Sequence, residues 1–210
     1  MIKVVATVRL LERFRKLSRV IGPIAQDVSE SHLNYWASYA TDFTCPLLFA
    51  YLGYRQHWNW PSAIFSFFSG LTVFSLIEYS VHRWLLHGSG GLLFRLHESH
   101  HKAPEERSAF FFPTSIVTLT LVWLLLDRAL HLQYASFFTC GVASGYCYFG
   151  ILHHVEHTTR INQIPFRWLQ KRWAAHSVHH RLDHCNFGVV TSFWDVVFGS
   201  HQSSKKRNRS

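Results

Sequence analysis

Long uncharged stretches alternate along this chain with short charged ones rich in histidine. No residue carries a formal charge from Pro61 to Ile77, from Ser108 to Leu126 or from Leu132 to Leu152. A fourth apolar run, Tyr35 to Tyr54, is interrupted by Asp42. Each run approaches the ~20 residues a helix needs to cross ~30 Å of hydrocarbon. Three such runs exceed what a soluble core of 210 residues can hide. The pattern predicts about four transmembrane helices arranged as two hairpins.

If all four cross, the amino-terminal arm, the segment 80–107 and everything after 153 share one side of the membrane. Of the 21 Lys and Arg, only Arg55 and Arg128 then fall on the other side. Lys and Arg concentrate on the cytoplasmic face, so the larger side is expected to be cytosolic. The first twenty residues lack a long apolar core and a small-residue cleavage site, which argues against a secretory signal. Arg9, Arg13 and Lys16 recur at helical spacing opposite Val8, Leu11 and Leu17, as in a helix lying on anionic lipid. A transit peptide is the alternative reading of that arm. The expected organisation is an amphipathic arm (1–30), a membrane body (31–200) and a basic tail (201–210).

Composition narrows the classes. Apolar residues make up 48% and charged residues 16%, with 18 Phe, 8 Trp and 8 Tyr, which excludes a disordered chain. Cys45, Cys140, Cys147 and Cys185 are too few and too unpatterned for a disulfide scaffold. The net charge of +9 forms no continuous basic stripe interleaved with exposed aromatics, so no nucleic acid partner is expected.

Histidine is the outlier, at 16 copies against 12 Asp and Glu. Four groups lie at or beyond the ends of the apolar runs: His82 and His87; His97, His100 and His101; His153, His154 and His157; His176, His179 and His180. Residues three and four apart share a helix face. The spacing therefore predicts that His97, His100 and His101 present three rings to one point, as do His176, His179 and His180, and that His153 and His157 present two. His82 and His87, five apart, are about 140° apart on an α-helix and need a helix end or different metals to cooperate. One ordinary site takes three or four nitrogens, so ten imidazoles argue for two metal ions. His32, His57, His131 and His201 read as structural. An imidazole shell suits Fe, Zn, Cu or Ni. A site at the lipid boundary, walled by Trp84, Phe94, Phe110, Phe111, Phe112 and Trp168, would offer an acyl chain whose C–H bonds call for a redox metal, commonly iron, and activated oxygen.

Two other readings stay open on the letters alone. His97-Glu98-Ser99-His100-His101 satisfies H-E-x-x-H, and His153-His154-Val155-Glu156-His157 satisfies H-x-x-E-H. A membrane zinc protease with Glu98 or Glu156 as general base can be read from either. A non-enzymatic metal carrier would instead want ionisable groups at the membrane midplane, where these runs are nearly bare.

At these residues the chain resembles the fatty acid hydroxylase/sterol desaturase superfamily of membrane oxygenases, over roughly residues 70–200. The resemblance rests on Glu78-Tyr79 followed by His82-Arg83 and His87, on His97-Glu98-Ser99-His100-His101-Lys102-Ala103-Pro104, and on His176-Ser177-Val178-His179-His180. Asn186-Phe187-Gly188, Trp194-Asp195 and Gly199 close it. The His-His-Lys-Ala-Pro run with Arg107 and Phe112-Pro113 is most similar to the fatty acid 2-hydroxylase branch. It implies an all-α integral membrane protein of about four transmembrane helices with a cytosolic helical cap holding a histidine-rich dimetal site. The implied ligands are His82, His87, His97, His100, His101, His153, His157, His176, His179 and His180. Two Fe are the implied cofactors (with Zn as a substitute on isolation), O2 the co-substrate, and a fatty acyl or ceramide-type lipid the substrate. Sterol or carotenoid oxidation is the alternative within the superfamily. Two departures stand out: the short gap from His87 to His97, and no haem domain fused in front. Electrons are therefore expected from a separate cytochrome b-type or ferredoxin-like protein. His184, Asn186 and Asp195 are expected to support the ligands, and Trp84, Phe111 and Trp168 to contact the chain. With the cap cytosolic, the host membrane is a bacterial inner membrane or the endoplasmic reticulum.

Overall fold

The structure is a computed structural model that describes residues 21–56, 59–88 and 90–203. The amphipathic arm expected over residues 1–20, the structural role expected of His57 and the last seven residues of the basic tail lie outside the described residues. Among the described residues the chain is helical, without strands. After α1 (21–30) come α2 (His32–Tyr54), α3 (Trp60–Ser80) and a π-helical continuation, Val81–Leu86. α4 (Leu92–Lys102), α5 (Pro113–Leu124), α6 (Ala135–Thr158), α7 (Arg167–Leu182) and the short α8 (Phe193–Val197) follow.

The starts of the long helices are written in the sequence. Ser31 caps α2 by accepting from the Asn34 amide, and Asn59 caps α3 by accepting from the Ser62 amide, with Pro61 just inside. α5 begins only at Pro113, whose ring fits the first helical turn. α3 with its π continuation, and α6, run past their apolar stretches. These extensions carry His82 on one rod and His153 and His157 on the other.

α6 is the central rod, packed against α3, α2 and α5. Small residues let backbones close at the α3–α6 contact. A Cβ at Gly70 would overlap the Phe138 carbonyl, and one at Gly141 would overlap the Phe67 carbonyl. Close approach through small residues is how helices pack where no water drives them together. Cys45, Phe49, Leu119, Cys140 and Ala143 form the core between α2, α5 and α6; the two cysteines act there as small apolar groups.

The segments Trp60–Leu86 and Ala135–Thr158 are long and apolar enough to cross a membrane. Their large apolar side chains point largely outward: Phe65 is 74% exposed, and on neighbouring helices Leu47 is 71% and Leu121 62% exposed. A soluble helix bundle of this size would bury such residues.

Candidate metal centre

The ten histidines converge from α3's π continuation, α4, α6 and α7 into two adjoining clusters. His82, His87, His97, His101 and His179 form the first; His100, His153, His157 and His176 form the second. His180 stands where the two meet, its ring stacked 4.2 Å from that of His101 and its Nε2 3.1 Å from His176 Nε2.

The π segment answers the five-residue spacing of His82 and His87. An α-helix would turn their rings apart, but a π turn closes i→i+5, and the His87 amide donates to the His82 carbonyl at 3.1 Å. The two rings end with centroids 5.2 Å apart. The expectation that each histidine triplet serves one point is corrected. α4 sends His97 and His101 to the first cluster and His100 to the second, and α7 likewise splits His179 from His176. Steps of three and four rotate in opposite senses around a helix, so a helix lying between two centres feeds both.

Within each cluster the Nε2 atoms crowd together. His97 Nε2 lies 3.1 Å from that of His82, 2.9 Å from His87 and 3.1 Å from His101. His157 Nε2 lies 3.1 Å from that of His100, 3.2 Å from His153 and 2.9 Å from His176. A neutral ring nitrogen offers either one proton or one lone pair, so hydrogen bonding satisfies only part of either set. Nitrogens about 2.1 Å from a shared ion stand at about this mutual spacing. The donor set therefore fits two cations.

Charge state agrees. Burial, reinforced by neighbouring imidazoles, pushes His100 down to about 3, and burial with His101 alongside pushes His87 to about 4. Burial also takes His179 to about 3, against the opposing pull of its bond to Cys185. His97, His101, His176 and His180 are lowered as well, by burial first. All seven are neutral near pH 7, the form that ligates metal.

Behind the first cluster is a scaffold of fixed acceptors. His82 Nδ1 donates to the Phe187 carbonyl, and His179 Nδ1 donates to the Cys185 carbonyl at 2.8 Å. Since a carbonyl only accepts, both rings must carry their proton on Nδ1 and turn a bare Nε2 inward. Asp195, fully buried, holds that loop by accepting from the amides of Phe187 (2.8 Å) and Gly188 (2.9 Å) and from Ser200 Oγ (2.8 Å). Asn186, left-handed at φ 54°, donates to the carbonyls of Ala175 and Gln202 and accepts from the Gln202 amide. Glu78 ties the loop to α3 by accepting from the Val189 amide at 2.9 Å. No motif marked Glu78 for this task beyond its place one turn before His82.

Other sequence-selected residues stand elsewhere. The His184 side chain is exposed, and its neighbour Asp183 instead reaches His101 Nδ1 at 3.0 Å. Trp84, Phe111 and Trp168 are each at least half exposed and lie off the cavity beside the cage. That cavity, about 330 Å³, is bounded by His82 and His97 of one cluster and His100 and His153 of the other. Phe74, Ile77, Leu86, Leu93, Phe110 and Phe149 give it apolar walls, and Tyr39, Asp42 and Glu78 add polar points. Of the aromatics expected to wall the site, Phe110 lines this cavity. The other walls carry no signal in the sequence, because periodicity cannot tell a lipid-facing aromatic from a cavity-facing one. His154, set aside in the sequence, bonds Tyr35 through Nδ1 at 2.6 Å.

The geometry removes the base a protease would need. Glu98 is paired with Lys102 at 2.9 Å on the surface. Glu156 lies on the Nδ1 side of His176, away from the converging Nε2 atoms.

The family model for fatty acid hydroxylase matches residues 67–200. The dihydroceramide fatty acyl 2-hydroxylase FAH2 of Arabidopsis thaliana is 30% identical over 139 residues, covering 62% of this chain and 58% of its own length. The ceramide very long chain fatty acid hydroxylase SCS7 of Saccharomyces cerevisiae is 31% identical, covering 70% of this chain and 40% of its own. The human fatty acid 2-hydroxylase is 27% identical, covering 81% and 45%. The chain thus spans about half the length of the curated relatives it matches. A solved structure described as full-length scs7p, with only the hydroxylase domain visible, superposes with a TM-score of 0.68 at 24% identity, over 82% of this chain and 68% of that one.

Proposed function

The chain belongs to the fatty acid hydroxylase family, and we propose that it is a membrane-bound dimetal oxygenase that hydroxylates a lipid acyl chain. The named relatives act on fatty acyl chains and ceramides, and a fatty acid or ceramide-type lipid is the proposed substrate. The observation that carries the reading is the apolar cavity opening onto both histidine clusters. An apolar chain in it would be desolvated and held against the metal side. A bound pair of redox ions, two irons by the demands of C–H chemistry, would supply activation of O2.

The chain's own residues do the rest. His82 and His179, fixed by carbonyls, and the helix-borne rings of the second cluster would hold the ions. Phe74, Ile77, Leu93 and Phe149 would exclude water and orient the chain. Replacing one C–H bond by C–OH with O2, and releasing the other oxygen as water, takes two electrons and two protons. A separate cytochrome b-type or ferredoxin-like protein would deliver the electrons. In the same reading α2, α3, α5 and α6 are four spans, with the cage on the cytosolic side of a bacterial or endoplasmic membrane.

Lipid profiling of cells expressing the chain, against cells expressing His179→Ala, tests this. A hydroxylated acyl lipid present with the first and absent with the second is expected. Matching profiles would refute the assignment.

A further inference from the structure

Glu156 is a buried ionisable group left without a task by the reading above. It sits on α6 one residue before His157, its side chain 1% exposed, and neither carboxylate oxygen meets a hydrogen-bond donor. The nearest polar atom of the cage is His176 Nδ1, 3.8 Å away and itself without a partner. Two complementary groups stripped of water and left unpaired are an unstable arrangement unless something draws them together. The separation exceeds a charge-assisted N–H···O bond by about 1 Å. On its other edge, His176 turns Nε2 inward, 2.9 Å from His157 Nε2. A ring that ligates through Nε2 carries its proton on Nδ1. An acceptor placed there fixes the tautomer, orients the ring and makes the inner nitrogen a better donor.

We propose that Glu156 is a positioning residue of the second cluster: its carboxylate accepts a hydrogen bond from His176 Nδ1–H and so holds that ring's Nε2 on the ion. The assignment rests on the dimetal reading. It gives the second cluster a buried carboxylate support, whereas in the first cluster His82 and His179 lean on the carbonyls of Phe187 and Cys185 and the carboxylate at His101, Asp183, is exposed. The carboxylate has the Arg172 and Glu78 side chains in its electrostatic surroundings. Neither of them stands in for the missing acceptor at His176 Nδ1.

The test is a chelator titration of the purified chain loaded with Zn2+, counting metal per chain. Wild type, Glu156→Gln, His176→Ala and the double variant are compared. Glu156→Gln should release the second-cluster ion at about 10- to 100-fold lower chelator concentration, with the first ion's release unmoved. In the His176→Ala background, adding Glu156→Gln should change nothing further. If Glu156→Gln fails to fold, Glu156→Asp, which draws the same charge back by one methylene, should show the same selective weakening. Unshifted release, an equal shift of both ions, or independent effects in the double variant would overturn the assignment. A wild type that binds fewer than two zinc ions would overturn the dimetal reading and this proposal with it; two ions with unshifted release overturns only the proposal.

Discussion

The two clusters share a ligand chemistry but are built differently. Every ligand of the second lies on a regular helix, with His153 and His157 four apart on α6 and His100 and His176 on α4 and α7. The first takes His97 and His101 from α4 and His179 from α7 but adds His82 from a π turn and His87 from the chain just past it. The outer nitrogens of His82 and His179 lean on the loop around Phe187. The second is therefore a product of helix packing alone, and the first of helix packing together with a pinned loop. A change in the loop should reach one centre and spare the other.

The largest effects are expected at the ring each cluster crowds around. His97→Ala and His157→Ala should each remove hydroxylated product to background, a loss of more than about 100-fold, because either vacancy leaves one ion under-ligated. Lipid product per unit of expressed protein measures this. Survival of activity in one of them would mean that the two centres do not act together.

Asp195→Asn should separate the clusters. It weakens charge-assisted bonds to two amides and a hydroxyl in a fully buried position, costing about 3 kcal/mol of stability. Metal held by the first cluster should weaken about tenfold and metal held by the second should not, a split read by thermal unfolding and chelator competition. Equal weakening of both would show that the loop is no private support of the first.

Acid should act on both clusters. With His87 pushed down to about 4 and His100 and His179 to about 3, the unfolded chain, titrating near 6.5, binds more protons than the folded one below that pH. Stability of the metal-free protein should thus be full above pH 6.5 and fall as pH drops toward 4. Unfolding midpoints against pH check the sign. Glu98→Gln should do least, leaving product unchanged, since Glu98 faces Lys102 in solvent. Loss of activity there would revive a hydrolytic base.

What could be read from the letters follows the same division. The i, i+4 pairs His97/His101, His153/His157 and His176/His180 declare a shared face, and the apolar runs mark the rods that bring them together. The meeting of His82 with His87 could not be read, because nothing in Val81–Leu86 announces a π turn over an α turn. Nor could the sorting of His100 and His179 away from their neighbours, which depends on a helix lying between two centres. The carbonyls of Cys185 and Phe187 have no sequence signature, whereas Asn186 and Asp195, which shape that loop, were legible as supports.

Everything turns on paired ions in these two nests of nitrogen. Elemental analysis of the purified protein, with His97→Ala and His157→Ala alongside, asks this most directly. Two ions per wild-type chain and one in each variant is the expected result; one ion or none in the wild type, or a count indifferent to both substitutions, would contradict the account.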